Sequence, residues 1–256
     1  KLCLNEKLSS EITIQPLKRF AFDAAIIFSD ILMLPYGLGQ DVSFKKNFGP
    51  QLGEIDLNNM LKIEEIDFTN KLNPIYNALK IIANDKLLEN KDLIGFVGAP
   101  WTLLVYMINK ISPKKGLNNF FFKDKFLINK LLIIINKFLK IHIEQQVKSG
   151  ASIIQIFDSW AGLVDEKDIP DYIYIPTLEI VNYVKSLNVP VICFPRGIKK
   201  YKEFVDVVKP DALNIDYEVD PKKILKEINI PIQGGLDPKT LLTDKENLKK
   251  EANYYL

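Results

Sequence analysis

At 256 residues and 47% hydrophobic content, the chain can bury a sizeable core, and no Gly/Ser-rich or Pro-rich linker divides it, so residues 1–256 are expected to form one domain. A formal net charge of +2, from 34 basic and 32 acidic residues, argues against a nucleic-acid or membrane-surface partner. Cys3 and Cys193 cannot build a disulfide framework, the polar start "KLCLNEKLSSE" is no signal peptide, and no apolar run reaches the roughly 18 residues of a membrane span, so a reducing cytoplasm is expected.

In chain order, "EITIQPLKRF" (11–20) reads as a helix carrying Arg19 on a solvated or structural face. The apolar run "AAIIF" (24–28) reads as a strand that ends in Ser29-Asp30. At that exit a carboxylate could accept ligand N–H groups or stabilise a developing positive charge, and it could equally be a turn-forming or N-capping Asp. After a predicted helix at 73–88, the strand "LIGFVG" (93–98) leads through Ala99-Pro100 into "APWTLLVYMI" (99–108), where Tyr106 offers either a ligand-facing hydroxyl or a packed core aromatic. "FLINKLLIIINKFLKIHIEQQVKS" (126–149) has the apolar period of a buried helix with a wet edge, and it holds the single histidine, His142.

The strand "SIIQIF" (152–157) ends in Asp158-Ser159. With one histidine placed inside a helix, Ser159 lacks a base for nucleophilic work; it reads as a hydrogen-bond donor to substrate or as a helix cap. "VICF" (191–194) follows the predicted helix 173–187 and exits at Pro195-Arg196, where a guanidinium could clamp a substrate carboxylate. Cys193 within that strand reads as an inert buried thiol. A helix at 199–208 and the strands "ALNI" (212–215) and "IPIQGG" (230–235) complete the series, with Asp216 and Gly234-Gly235 at their exits. No metal-ligand spacing occurs; only the carboxylates Asp30, Asp158 and Asp216, converging at strand ends, leave room for a cation.

Apolar runs without alternation are expected of strands covered on both faces, and their alternation with helices implies a parallel α/β sheet. Neither a G-x-G-x-x-G nor a Walker A sequence is present, which argues against an open dinucleotide-binding sheet. Polar residues at nearly every strand exit favour a (β/α)8 TIM barrel, of which six of the eight βα units are counted here.

The stretches "ITIQPLKRFAFDAAIIFSDILMLPYGLG" (12–39), "LIGFVGAPWTLLVYMI" (93–108), "GASIIQIFDSWAG" (150–162), "DALNIDYEVD" (211–220) and "IPIQGGLDP" (230–238) resemble the uroporphyrinogen decarboxylase family, in the family's order. The resemblance implies a cofactor-free barrel enzyme, usually a homodimer, that removes the acetate carboxyls of uroporphyrinogen to give coproporphyrinogen in haem synthesis. Carried over residue by residue, the aspartate that binds the pyrrole N–H groups is Asp30, and the cleft-lining tyrosine and hydroxyl are Tyr106 and Ser159. The apolar "ILML" after Asp30 is then expected to form cleft wall. The family's R-Q-A-G-R-Y-L-P-type and G-H-G-type motifs are absent and the chain does not begin with Met, so an incomplete, unclosed barrel with weak or no activity is expected. Corrinoid-dependent methyltransferases share the barrel, but "VICFPRG" lacks their His-x-Cys zinc pair.

Overall fold

Each of the six apolar runs becomes a strand of one parallel sheet. The computed structural model describes residues 2–46, 48–114, 116–117 and 124–255. In chain order the strands are β1 (Ala24–Ile26), β2 (Val42–Lys45), β3 (Gly49–Leu52), β4 (Asp92–Gly98), β5 (Ile153–Asp158), β6 (Val191–Pro195), β7 (Ala212–Ile215) and β8 (Ile232–Gly234). Six of them hydrogen-bond in the order β1-β4-β5-β6-β7-β8, all parallel, so every carboxyl end lies on the same rim. The sheet is curled into half of a (β/α) barrel, with β1 and β8 as its edges among the described residues.

The helices are α1 (Glu6–Arg19), α2 (Met33–Gly37), α3 (Leu57–Met60), α4 (Glu65–Ala83), α5 (Pro100–Asn109), α6 (Lys125–Lys148), α7 (Ile175–Ser186), α8 (Tyr201–Val208), α9 (Pro221–Glu227) and α10 (Lys245–Tyr255). α6 shows why the sequence folds this way. Asp124 caps it by accepting the Leu127 N–H at 2.9 Å, and Leu131, Ile135, Phe138, Leu139 and Ile143 recur at helical spacing as its buried stripe. His142 belongs to that stripe. Its Nδ1 meets the Tyr76 hydroxyl of α4 at 2.9 Å, and burial lowers its pKa to about 4, so it is a neutral core residue away from the strand exits.

Burial alternates along β4 and β6. In β4 and β6 the residues facing the helices, Leu93, Val97, Val191 and Cys193, are buried, whereas Ile94, Phe96, Ile192 and Phe194 on the inner face are only half-covered. Both faces are apolar, as the unbroken runs imply, but only one is sealed by helices. Phe96, Phe157 and Phe194 form an edge-to-face ladder on the inner face, with centroids 5.5 and 6.3 Å apart.

Several elements differ from the sequence reading, among them the following. α4 starts at Glu65 rather than near residue 73, because Phe68 and Leu72 extend its buried stripe through an otherwise polar segment. The segment expected to be helical from 173 begins instead with a π-helical turn, Pro170–Tyr174, ahead of α7. The β2–β3 hairpin was not expected: its strands are four residues each and expose Phe44, its turn exposes Phe48, and so it carries little core signal.

The position of β1 depends on where it leaves the sheet. Its ladder with β4 ends at the Ile27 N–H to Ile94 C=O bond, 3.1 Å. Phe96, next in line on β4, instead donates its N–H to Gln146 Oε1 at 3.0 Å and accepts Gln146 Nε2 at 3.1 Å. The side-chain amide of α6 thus replaces a strand. It reaches the backbone over Gly95, where a Cβ would stand 2.6 Å from Gln146 Oε1. On the far side of β1, Phe28 donates its N–H to Thr13 Oγ1 at 2.9 Å and accepts the Ser9 hydroxyl at 2.7 Å, both from α1. Replacing Gln146 by Leu strands two backbone groups and is expected to lower the unfolding free energy in urea by about 2 kcal/mol or more. A loss below about 0.5 kcal/mol, the range of a neutral surface change, would show that the departure of β1 is held by something else.

Candidate active site

Asp30 lies just past the exit of β1, half-buried. Its Oδ1 accepts the Leu32 N–H at 2.8 Å and its carbonyl accepts the Met33 N–H at 3.1 Å, which turns the chain into α2. The turn-forming reading of this residue is therefore correct for one oxygen. The other makes no hydrogen bond among the described residues and remains available to a ligand. Burial raises the Asp30 pKa, and the Leu32 N–H opposes that shift. The expectation that Ile31–Leu34 form cleft wall is corrected: Leu32, Met33 and Leu34 are 1%, 5% and 1% exposed and face the core, and only Ile31 is half-exposed. A short helix must bury its apolar face, and α2 buries it against α4 and α6.

Ser159 follows the last residue of β5, half-buried, and its hydroxyl makes no hydrogen bond among the described residues. Tyr106, on the second turn of α5, is also half-buried. Its ring meets that of Trp160 edge-on, with centroids 6.0 Å apart, so the structure brings Tyr106 beside the β5 exit. Arg196 is exposed at the β6 exit. Its Nε donates to Asp216 Oδ2 at 3.2 Å, at the exit of β7, and its terminal nitrogens have no partner among the described residues. Its backbone joins neighbouring exits: its N–H donates to Asp158 C=O at 3.0 Å and its C=O accepts the Gly162 N–H at 2.9 Å. Asp30, Ser159 and Arg196 thus stand on one rim, on β1, β5 and β6.

Asp158 does not join them. Its side chain, 3% exposed, points into the helix layer, where Oδ1 accepts the Thr102 hydroxyl of α5 at 2.6 Å and Oδ2 has no partner among the described residues. Burial raises its pKa to about 7, partly countered by Thr102. A cation held by Asp30, Asp158 and Asp216 together is therefore excluded by the direction of the middle carboxyl, and no group of three or more metal-ligating side chains occurs among the described residues. Cys193 is 1% exposed and its thiol pKa is raised by burial, in keeping with an inert core residue.

Thr102 and Trp160 were missed as contributors to the site. Thr102 accepts the Trp160 N–H at 3.1 Å while donating to Asp158, and the Trp160 carbonyl accepts Trp101 Nε1–H at 2.9 Å. The polar Thr in the apolar stretch "APWTLLVY" was the available signal. Along the β1 edge runs an apolar cavity of 440 Å³, lined in part by Leu17, Ile26, Phe28, Ser29, Phe96 and Phe157.

Half of a parallel (β/α) barrel with its free polar groups on the carboxyl rim defines an α/β-barrel enzyme. Of solved structures, a methyltransferase from Methanosarcina mazei superposes with a TM-score of 0.64 over 99% of this chain and 87% of its own, at 16% identity, which is likeness of fold alone. The uroporphyrinogen decarboxylase (URO-D) family model matches residues 1–256. Uroporphyrinogen decarboxylases of Rickettsia felis and Rickettsia bellii are 38% and 37% identical, over 98% and 100% of this chain and 74% and 77% of their own lengths. The chain belongs to the uroporphyrinogen decarboxylase family, and so to the carboxy-lyases.

Folded Asp158 holds its proton to about pH 7, whereas an unfolded Asp releases it near its ordinary value of 3.8. The folded state therefore carries the extra proton between those values, and stability falls as pH rises through that window and levels off above it. Asp158→Asn, which still accepts from Thr102, is expected to reduce that slope in thermal melts between about pH 4 and pH 7. Parallel curves for the two proteins would show that Asp158 is not the group responsible.

Proposed function

We propose that this chain removes the acetate carboxyls of uroporphyrinogen at its carboxyl rim, with Asp30 accepting the pyrrole N–H groups. The observation that carries the reading is the Asp30 carboxylate, oriented through one oxygen by its own turn and open at the other. Protonation of a pyrrole ring carbon gives an iminium-like cation. The bond between the acetate methylene and its carboxylate then breaks, carbon dioxide leaves, and the bonding pair flows into the ring. Protonation of the methylene and loss of the ring-carbon proton leave a methyl group, so each step consumes one proton and needs no oxidant.

A fixed carboxylate beside the ring nitrogens both holds the macrocycle and stabilises the cation, and it acts most strongly where water is scarce. Partial desolvation of Asp30, which lifts its pKa, marks such a place. The Ser159 and Tyr106 hydroxyls serve as hydrogen-bonding groups on the cleft wall, and the terminal nitrogens of Arg196 take a substrate carboxylate. The reading of the sheet as six of the eight units of a (β/α)8 barrel is supported by the outer edges of β1 and β8, unpaired among the described residues, and by the family relationship. A single domain, a homodimer, a cytoplasmic location and no nucleic-acid or membrane partner complete the reading. The near-neutral net charge supports the absence of a nucleic-acid or membrane-surface partner, and no described helix is long and apolar enough to cross a membrane.

The test is anaerobic incubation of the full-length protein with uroporphyrinogen III, with products separated by carboxyl count. Asp30→Ala is expected to lower kcat/KM by roughly 10²-fold or more. Full rate in that variant would remove Asp30 from the mechanism, and absence of products with wild type would refute the activity.

A further inference from the structure

Ser159 lies between two residues that are both tied to the first turn of α5. Thr102 is fully buried there; its hydroxyl donates to Asp158 Oδ1 at 2.6 Å and accepts the Trp160 N–H at 3.1 Å. The chain is therefore gripped by one hydroxyl on each side of Ser159. One helical turn further on, Tyr106 packs edge-on against the Trp160 ring, and the Trp160 carbonyl accepts from Trp101. Two hydroxyls proposed to face substrate thus take their relative placement from a third that does not reach it.

We infer that Thr102 is a positioning residue of the decarboxylation site, setting the Ser159 hydroxyl and the Tyr106 ring in register through Asp158 and Trp160. The inference rests on the reading of Ser159 and Tyr106 as substrate-facing groups. A role in packing alone would ask only for the volume of Thr102, which Val supplies. The geometry asks for a hydroxyl that donates and accepts at once, because no other side chain among the described residues holds the Asp158 carboxyl. Loss of that hydroxyl removes the side-chain tie on one flank of Ser159 and the amide tie on the other, leaving Trp160 held by its carbonyl and ring, and small displacements of a positioning group are costly to rate.

The experiment compares Thr102→Val, Thr102→Ser and Ser159→Ala in the full-length protein. It reads hydrogen exchange at the Trp160 amide together with kcat and KM for uroporphyrinogen. Thr102→Val is expected to keep a cooperative melt, to lose protection at the Trp160 amide, and to lose roughly tenfold or more in kcat/KM, mainly through kcat. Thr102→Ser is expected to restore both. If Thr102→Val does not fold, Thr102→Ala supplies the same comparison against Thr102→Ser. The inference is overturned if the variant lacking the hydroxyl keeps both amide protection and rate, or if Thr102→Ser is as impaired as Thr102→Val. Should Ser159→Ala and Asp30→Ala also keep full rate, it is the reading of the site that fails; should they lose rate while Thr102→Val does not, only the positioning role fails.

Discussion

A strand can leave a parallel sheet only if the backbone groups it abandons find other partners, and here the Gln146 amide supplies them to Phe96. Everything at the β1 exit follows from that substitution. Because β4 is satisfied without it, β1 can diverge after Ile27, and the Ser9 and Thr13 hydroxyls of α1 take the groups that Phe28 turns outward. The chain reaches Asp30 with its direction already fixed from both flanks, and the Asx-type turn there sends Leu32 and the start of α2, Met33 and Leu34, into the core. The Asp30 carboxylate takes its direction from this backbone arrangement together with its own bond to the Leu32 N–H.

Two strand exits that look alike in sequence, Ser29-Asp30 and Asp158-Ser159, divide the work in opposite ways. After β1 the carboxylate stands on the rim. After β5 it is turned into the helix layer and bonded by Thr102, and the hydroxyl stands on the rim instead. The difference is one of phase. Asp158 continues the alternation of β5 on the side of Ile154 and Ile156, which faces the helices, whereas Asp30 lies beyond the strand, where the turn and not the pleat sets its direction. Burial then shifts the pKa of both carboxyls upward, that of Asp158 against the Thr102 hydroxyl and that of Asp30 against the Leu32 N–H.

Much of the fold was legible because strands and long buried helices announce themselves by apolar runs and period. All six barrel strands and α6, with His142 inside it, follow from those signals, while the burial of His142 rather than its place on the wet edge does not. The β2–β3 hairpin and α10 have no buried stripe for a sequence to display. At the site, residue types at strand exits pointed to Asp30, Ser159 and Arg196, and the family resemblance added weight to Tyr106. The opposite orientations of Asp30 and Asp158, the burial of Leu32–Leu34 and the double hydrogen bond of Thr102 were not legible. Each depends on which way a side chain turns at a single residue, and apolar period carries no such information.

The central claim, that the open oxygen of Asp30 receives the ring N–H groups of a tetrapyrrole, is tested most directly by a crystal structure of the full-length protein with coproporphyrinogen bound under anaerobic conditions. The account predicts Asp30 Oδ2 within about 2.7–3.2 Å of pyrrole nitrogens, with Oδ1 still held by Leu32. A macrocycle seated with all its nitrogens beyond about 4 Å from that carboxylate would contradict it.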